Sequence, residues 1–363
     1  MVVVGTRPEI VKMAPVIRAL QKRNIKTTFV HCGQHYDYNM SQQFIEELGL
    51  PAPDYEYKVK ASSQGEQTAR ILNHMDRLTK KTSPLTVLVE GDTNGVLATA
   101  IAAVKRAIPV GHIEAGLRSF DLRMPEEHNR RLTDHVSTYL FAPTQTANDN
   151  LRRENVWGKT YITGNTVIDA VNQHMPIARK KSRILEHVRF KKFVLATAHR
   201  AENVEDFKVL RDFMHIFAES PAPVVYPMHP RTRKRLLQNH AKELVEGNGN
   251  VQVLPPVGYL DFLVLMKNCE MIVTDSGGIQ EEATAPCMRK PVLVIRLSTE
   301  RPEAVEAGFA EVVGVEKSKV LDTISKTLDE KRKLPTESPF GDGNAAEKTV
   351  SIIDEEMPST KCT

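Results

Sequence analysis

Short β-branched runs alternate along this chain with segments of helical period, and turns carrying Gly, Asp or Pro separate most of them. In the first half, Val2–Val4, Thr27–Val30, Thr86–Val89, Pro109–Ile113, Tyr139–Ala142 and Lys159–Thr163 predict strands. The amphipathic stretches Gln64–Lys80 and Asn94–Arg106 predict helices between them, and Glu127–Ser137 predicts another. The rhythm restarts at Phe193–Ala196. It continues through Val224–Tyr226, Val251–Leu254, Met271–Thr274, Val292–Ile295 and Glu311–Val315. Alternation at these lengths predicts parallel sheets with right-handed crossovers. About a dozen parallel strands is too many for one ordinary sheet, so the pattern divides into two.

The expected architecture is therefore α/β, with two Rossmann-like domains, 1–170 and 171–342. The basic segment Ala178–Lys192 reads as the connection between them. A last helical pattern, Asn344–Glu356, follows a Pro-Phe-Gly-Asp-Gly turn, and residues 343–363 are expected to cross back to the first domain and end in a frayed tail. The first strand begins directly after Met1 and is short for a central strand, so a longer native N-terminus is expected.

Composition narrows the class. Hydrophobic residues make up 41% of the 363 and charged residues 26%, a globular balance. The net charge of +4 is not gathered into one basic run, and aromatic residues are sparse, so no nucleic-acid partner is expected. There is no long apolar stretch and no signal-peptide layout, so neither a membrane partner nor export is expected. Cys32, Cys269, Cys287 and Cys362 form no CxxC pair, which suits reduced thiols in a cytoplasmic protein and no metal site.

Ligands of open parallel sheets bind beyond the carboxyl ends of the strands. Ionisable residues recur there. The first strand ends in Gly5-Thr6-Arg7-Pro8-Glu9 with Lys12 one turn on, the third in Glu90-Gly91-Asp92-Thr93, and the fourth in His112-Ile113-Glu114-Ala115-Gly116-Leu117-Arg118. In the second half the corresponding segments are His199-Arg200-Ala201-Glu202-Asn203, His229 and Asp275-Ser276-Gly277-Gly278. On spacing alone, Glu126-Glu127 reads as dipole-favouring charge at a helix start. The strand-end residues also have bland readings singly, Pro8 as a first helical residue, Asp92 as a cap and Glu114 as a turn carboxylate. Together they point to a shared cleft.

The Asp275-Ser276-Gly277-Gly278-Ile279-Gln280-Glu281-Glu282 stretch reads as a phosphate cradle, because its glycines precede a helix N-terminus. Glu282 is placed to accept hydrogen bonds from ribose hydroxyls, and Arg7, Lys12 and Arg301 are candidate cations for a diphosphate. No GxGxxG follows the first strand and no GxxxxGK[ST] occurs, so neither a dinucleotide cofactor nor a P-loop is supported. The absence of Gly-x-Ser-x-Gly removes the usual serine hydrolase elbow.

With Gly33-Gln34-His35, Pro125-Glu126-Glu127 and Thr163-Gly164-Asn165-Thr166 added, these motifs resemble the non-hydrolysing UDP-N-acetylglucosamine 2-epimerase family, in its order and over nearly the whole chain. The resemblance implies a glycosyltransferase-B-like pair of domains around a central cleft, usually as a homodimer. It also implies a UDP-sugar substrate, no cofactor, and interconversion of UDP-N-acetylglucosamine and UDP-N-acetylmannosamine through 2-acetamidoglucal. It makes Asp92, Glu114, Glu126 and His199 the catalytic residues, replacing the bland reading of Glu126. It makes Arg7, Lys12, Ser276, Gly277, Gly278, Glu282 and Arg301 the UDP contacts. Gln34, His35, Arg70 and His229 are candidates for an activating second UDP-sugar site.

Which carboxylate is base and which acid stays open. A hydrolysing variant, a retaining glycosyltransferase and a nucleotide-sugar sensor also stay open. The chain departs from the family at Thr284-Ala285-Pro286-Cys287-Met288-Arg289, which is longer than the usual Pro-Ser-Leu-Gly turn. It departs again at Leu297, where the family has Asp. The second change bears on the local loop geometry rather than on Arg301.

Overall fold

The buried β-branched runs become strands because side chains covered on both faces can be apolar throughout. The computed structural model describes residues 1–33, 38–330 and 333–356. Its strands are β1 (Val2–Val4), β2 (Phe29–His31), β3 (Tyr55–Glu56), β4 (Val87–Glu90), β5 (Val110–Ile113), β6 (Tyr139–Ala142) and β7 (Lys159–Ile162) in the first half. The second half has β8 (Val194–Thr197), β9 (Val224–Pro227), β10 (Val251–Leu254), β11 (Met271–Thr274), β12 (Val292–Val294) and β13 (Ala310–Val312).

The chain divides into two compact units, Met1–Ala170 with the described part of Phe340–Thr363, and Val171–Pro339. In the first unit all strands are parallel in the order β3-β2-β1-β4-β5-β6-β7. The second unit repeats the scheme as β10-β9-β8-β11-β12-β13, again all parallel. The order reverses between β1 and β4, and between β8 and β11. Those reversals are where a doubly wound sheet opens a crevice at its carboxyl edge.

In the first unit, helix Asn94–Val104 is apolar and Ala-rich, which lets it pack closely between helices Gln64–Thr82 and Pro125–Val136. In the second unit, Leu210, Phe213 and Phe217 of helix Phe207–Glu219 enter the core beside Tyr226, with the Phe217 and Tyr226 rings edge to face at 5.1 Å. Helix Ala345–Glu356 packs on helix Arg7–Lys22, where Lys22 Nζ lies 2.9 Å from Glu347 Oε1. Asp169 accepts from the backbone N–H groups of Ala345 and Ala346 at 3.1 and 2.9 Å, capping that helix. No helix among the described residues is long and apolar enough to cross a membrane.

The structure shifts several expected bounds, Glu311–Val315 becoming β13 (Ala310–Val312) among them, and differs further at three places. β3 has two residues and no apolar run to mark it. The helix expected from Glu127 starts at Pro125, whose fixed φ suits a first helical residue. The segment expected as a connection, Ala178–Lys192, lies wholly in the second unit. Its first residues finish helix Thr166–Lys181, and a single 3-10 turn, Ile184–His187, follows.

Candidate active site

In the first unit the crevice begins where Gly5 and Thr6 leave β1 for helix Arg7–Lys22. Glu9, in the first turn of that helix, reaches back to them. Its Oε2 accepts from the Gly5 N–H at 2.7 Å and its Oε1 from the Thr6 hydroxyl at 2.8 Å. Burial pushes the Glu9 carboxyl up to about 7 against those hydrogen bonds. One turn on, Lys12 Nζ lies 3.0 Å from Glu90 Oε1 and 2.6 Å from Glu114 Oε2. Glu90 ends β4 and Glu114 follows β5, so helix and strand ends converge on one ammonium.

Glu114 has φ 68, in the left-handed region that non-glycine residues avoid. Such strain persists only where the surroundings impose it, and it concentrates at functional sites. Here the surroundings are Lys12 on one oxygen and the Asn165 side-chain amide, which donates to the other at 3.2 Å. Gly116 follows with φ 82, and a Cβ there would meet the Ala147 carbonyl oxygen at 2.2 Å, so only glycine completes the turn.

Asp92 stands just past β4. Arg130 of helix Pro125–Val136 pairs with its Oδ2, and the Asn129 amide donates to its carbonyl at 3.0 Å. Arg130 is held in turn by the fully buried Glu127, 3.1 Å away. Glu126 is exposed in the first turn of that helix. It lines a depression with Asp92, Asn94, Asn129, Thr6 and Gln67. The backbone beneath is locked by His112, whose Nδ1 is 2.7 Å from Asp134 and whose Nε2 is 2.8 Å from the Gly91 carbonyl.

In the second unit, Asp275 follows β11 beside the end of β8. Its Oδ2 accepts from the backbone N–H groups of His199 and Arg200 at 2.8 and 2.9 Å, and its Oδ1 lies 3.2 Å from His199 Nδ1. Burial pushes this carboxyl up, but the His199 contacts and the two N–H groups outweigh it and hold it below its ordinary value. The ring is thus turned with Nδ1 toward Asp275. The His229 ring lies 5.8 Å from the His199 ring, and His229 Nδ1 accepts from the Arg231 N–H.

Ser276, Gly277 and Gly278 lead from Asp275 into the short helix Gly277–Glu282. A Cβ on Gly277 would lie 3.6 Å from Glu300, 3.7 Å from Arg200 and 3.8 Å from Arg301, while Gly278 faces open space. Glu300 lies 3.5 Å from Arg200 and 3.2 Å from Arg296. Burial raises the Glu300 carboxyl, and Arg200, Arg296 and Arg301 together bring it below its ordinary value. Arg301 pairs with Glu281. The result is a cationic rim beside a glycine turn, a surface that suits an anion.

The structure thus gathers the sequence-expected residues unevenly. Asp92 and Glu126 share a depression. Glu114 sits with Lys12, which faces carboxylates rather than open space. Arg7 is exposed and lies over the Phe44 ring at 5.7 Å. Ser276, Gly277, Gly278 and Arg301 form one surface, and Glu282 is half-buried on the same helix. Arg70 is exposed and pairs with Glu66 of its own helix. Gln34 and His35 lie outside the described residues. Glu90, Arg130, Glu127 and Asp275 went unassigned by sequence, although Glu90 and Asp275 stood in the quoted strand-end motifs.

At the first departure from the family, the Thr284 and Ser338 hydroxyls are 2.6 Å apart and Arg289 Nε donates to the Pro335 carbonyl at 2.8 Å. At the second, Leu297 stands 85% exposed, so its side chain leaves Arg296, Glu300 and Arg301 together. No group of three or more His, Cys, Asp or Glu among the described residues could hold a metal.

Two doubly wound sheets, each with polar groups at its order reversal, define a glycosyltransferase-B-like α/β protein. A sequence profile of the UDP-N-acetylglucosamine 2-epimerase family matches residues 18–354, and the chain belongs to that family. It is 43% identical to the UDP-N-acetylglucosamine 2-epimerase of Methanocaldococcus jannaschii, over 97% of this chain and 98% of that one. The crystal structure of the M. jannaschii enzyme with UDP-GlcNAc and UDP superposes with a TM-score of 0.88, covering 98% of this chain and 99% of that one at 43% identity. The UDP-2,3-diacetamido-2,3-dideoxy-D-glucuronate 2-epimerase of Pseudomonas aeruginosa is 37% identical over 97% of this chain and 98% of its own.

Proposed function

We propose that the chain interconverts UDP-N-acetylglucosamine and UDP-N-acetylmannosamine by eliminating UDP across C1–C2 to 2-acetamidoglucal, then adding UDP back at C1 with the proton delivered to the opposite face of C2. The observation that carries this reading is the set of carboxyl groups Glu114, Asp92 and Glu126 at one carboxyl edge of the first unit. The hydrogen at C2 of a pyranose has no adjacent carbonyl and is not acidic. Departure of UDP must therefore build positive charge at C1, which carboxylates stabilise while one of them takes the C2 proton.

Arg301, Ser276, Gly277 and Gly278 would hold the diphosphate and Glu282 the ribose. His199, oriented by Asp275, would offer Nε2 to the departing phosphate oxygen. Arg7 and Lys12 complete the proposed UDP contacts. In this reading the enzyme is a cytoplasmic homodimer that needs no cofactor and supplies activated N-acetylmannosamine for surface polysaccharide or glycan synthesis. The second-site assignment rests on Arg70 and His229 with Gln34 and His35.

The test follows UDP-N-acetylglucosamine with the enzyme by proton NMR. A nucleotide-linked manno sugar at a stable ratio to the gluco sugar is expected. Accumulating free N-acetylmannosamine and UDP would instead establish a hydrolysing enzyme. Turnover of the 2,3-diacetamido glucuronate alone would move the chain to the specificity of its P. aeruginosa relative. Asp92→Asn should lower kcat roughly 100- to 10,000-fold, the range of a lost acid–base group. Full activity in that variant would remove Asp92 from the mechanism.

A further inference from the structure

Glu90 takes no part in the reaction drawn above, yet it ends a strand that is buried along its whole length and is itself 1% exposed. Three groups face it. Lys12, from helix Arg7–Lys22, stands 3.0 Å away, and Glu9 on the same helix adds a second buried acid. Glu114, from the turn after β5, takes the same ammonium at 2.6 Å, so the two carboxyl groups meet at one nitrogen.

One ammonium does not neutralise two buried carboxylates, and carboxyl groups in contact hold one proton between them rather than ionise together. A single proton on the pair makes the trio with Lys12 neutral. Asn165 donates to Glu114, which favours ionisation there and leaves the proton to Glu90.

We infer that Glu90 is a positioning residue for Glu114: as a neutral acid it donates a hydrogen bond to the Glu114 carboxylate, keeping that group ionised and aimed from its left-handed turn. The inference rests on the reading of Glu114 as a reacting carboxylate. Burial pushes the Glu90 carboxyl well above its ordinary range, Lys12 opposes the rise, and Glu114 and Glu9 add to it. Glu90 therefore holds its proton to higher pH than an ordinary carboxyl, and once it is released a second negative charge disturbs Glu114 and its salt bridge to Lys12.

Glu90→Gln keeps the shape and a donor but cannot ionise. It should fold, turn over near the native rate at neutral pH, and lose the alkaline fall in kcat. The infrared C=O band of a buried protonated carboxyl, present in the native enzyme, should lose the Glu90 contribution in this variant. Glu90→Leu removes the hydrogen bond. It should lower kcat roughly 10- to 100-fold with KM little changed, a smaller loss than removal of an acid–base group outright.

An alkaline limb unchanged in Glu90→Gln, an unchanged infrared band, or native kcat in Glu90→Leu would each overturn the inference. So would failure of Glu90→Gln to fold, since an amide is tolerated where a neutral carboxyl sits. Glu114→Gln separates the two readings. If it is inactive while Glu90→Gln keeps the native pH profile, only the role of Glu90 falls; if it turns over at the native rate, both fall.

Discussion

One buried carboxyl group in each unit, Glu9 and Asp275, departs from its ordinary value, and the two shift in opposite senses. Glu9 is raised from an ordinary value near 4.5 to about 7, chiefly by burial. Between those values the folded chain binds a proton that the unfolded chain has released, so its contribution is complete below the ordinary value and is lost as pH climbs through about 7. The difference corresponds to roughly 3 kcal/mol above pH 7. Glu9→Gln can turn its carbonyl to the Gly5 N–H and its amide to the Thr6 hydroxyl. It should raise the urea midpoint at pH 8 and leave it nearly unchanged at pH 4, and an unchanged pH slope would contradict this. Asp275 is the reverse case, since its folded value is depressed: its stabilisation is present above the ordinary Asp range and is lost as pH falls through the folded value. Asp275→Asn should also release His199 from its orientation. We expect kcat to fall roughly 100-fold or more, with UDP affinity measured by calorimetry little changed. Equal losses in both would make Asp275 a structural residue only. The sequence marked Asp92, Glu114 and His199 because strand ends are readable. It did not mark Arg130, because a helical arginine far along the chain carries no local sign that it will meet Asp92.

Elements were legible where one pattern dominated. β1, β6 and β11 fall where their apolar runs lie, because fully buried strands admit little else. β3 was not legible, since its two residues are fixed by pairing with β2 rather than by their own propensity. Helix Ala345–Glu356 shows how a distant residue completes an element. Its N-terminal N–H groups are met by Asp169, whose carboxyl burial raises to about 6. Asp169→Ala leaves them without that acceptor and should cost about 1 kcal/mol, the usual worth of a cap. Amide exchange of Ala345 and Ala346 should accelerate in that variant. Unchanged protection would mean that packing on helix Arg7–Lys22 holds the helix without the cap.

At the scale of the molecule, the alternating pattern announced two parallel sheets, and each sheet carries its polar groups at its own order reversal. The motifs also placed carboxylates in the first half and a glycine cradle in the second; what no pattern announced is which groups surround them. The first concentrates buried carboxyl groups around one lysine, and the second surrounds a glycine turn with arginines. The most direct test runs the reaction in heavy water and reads C2 of the sugar by proton NMR. Elimination and re-addition predict a manno product carrying deuterium at C2, with deuterium also entering the gluco pool as equilibrium is approached. A manno product that keeps its original hydrogen at C2 would contradict proton transfer through the first unit's carboxylates.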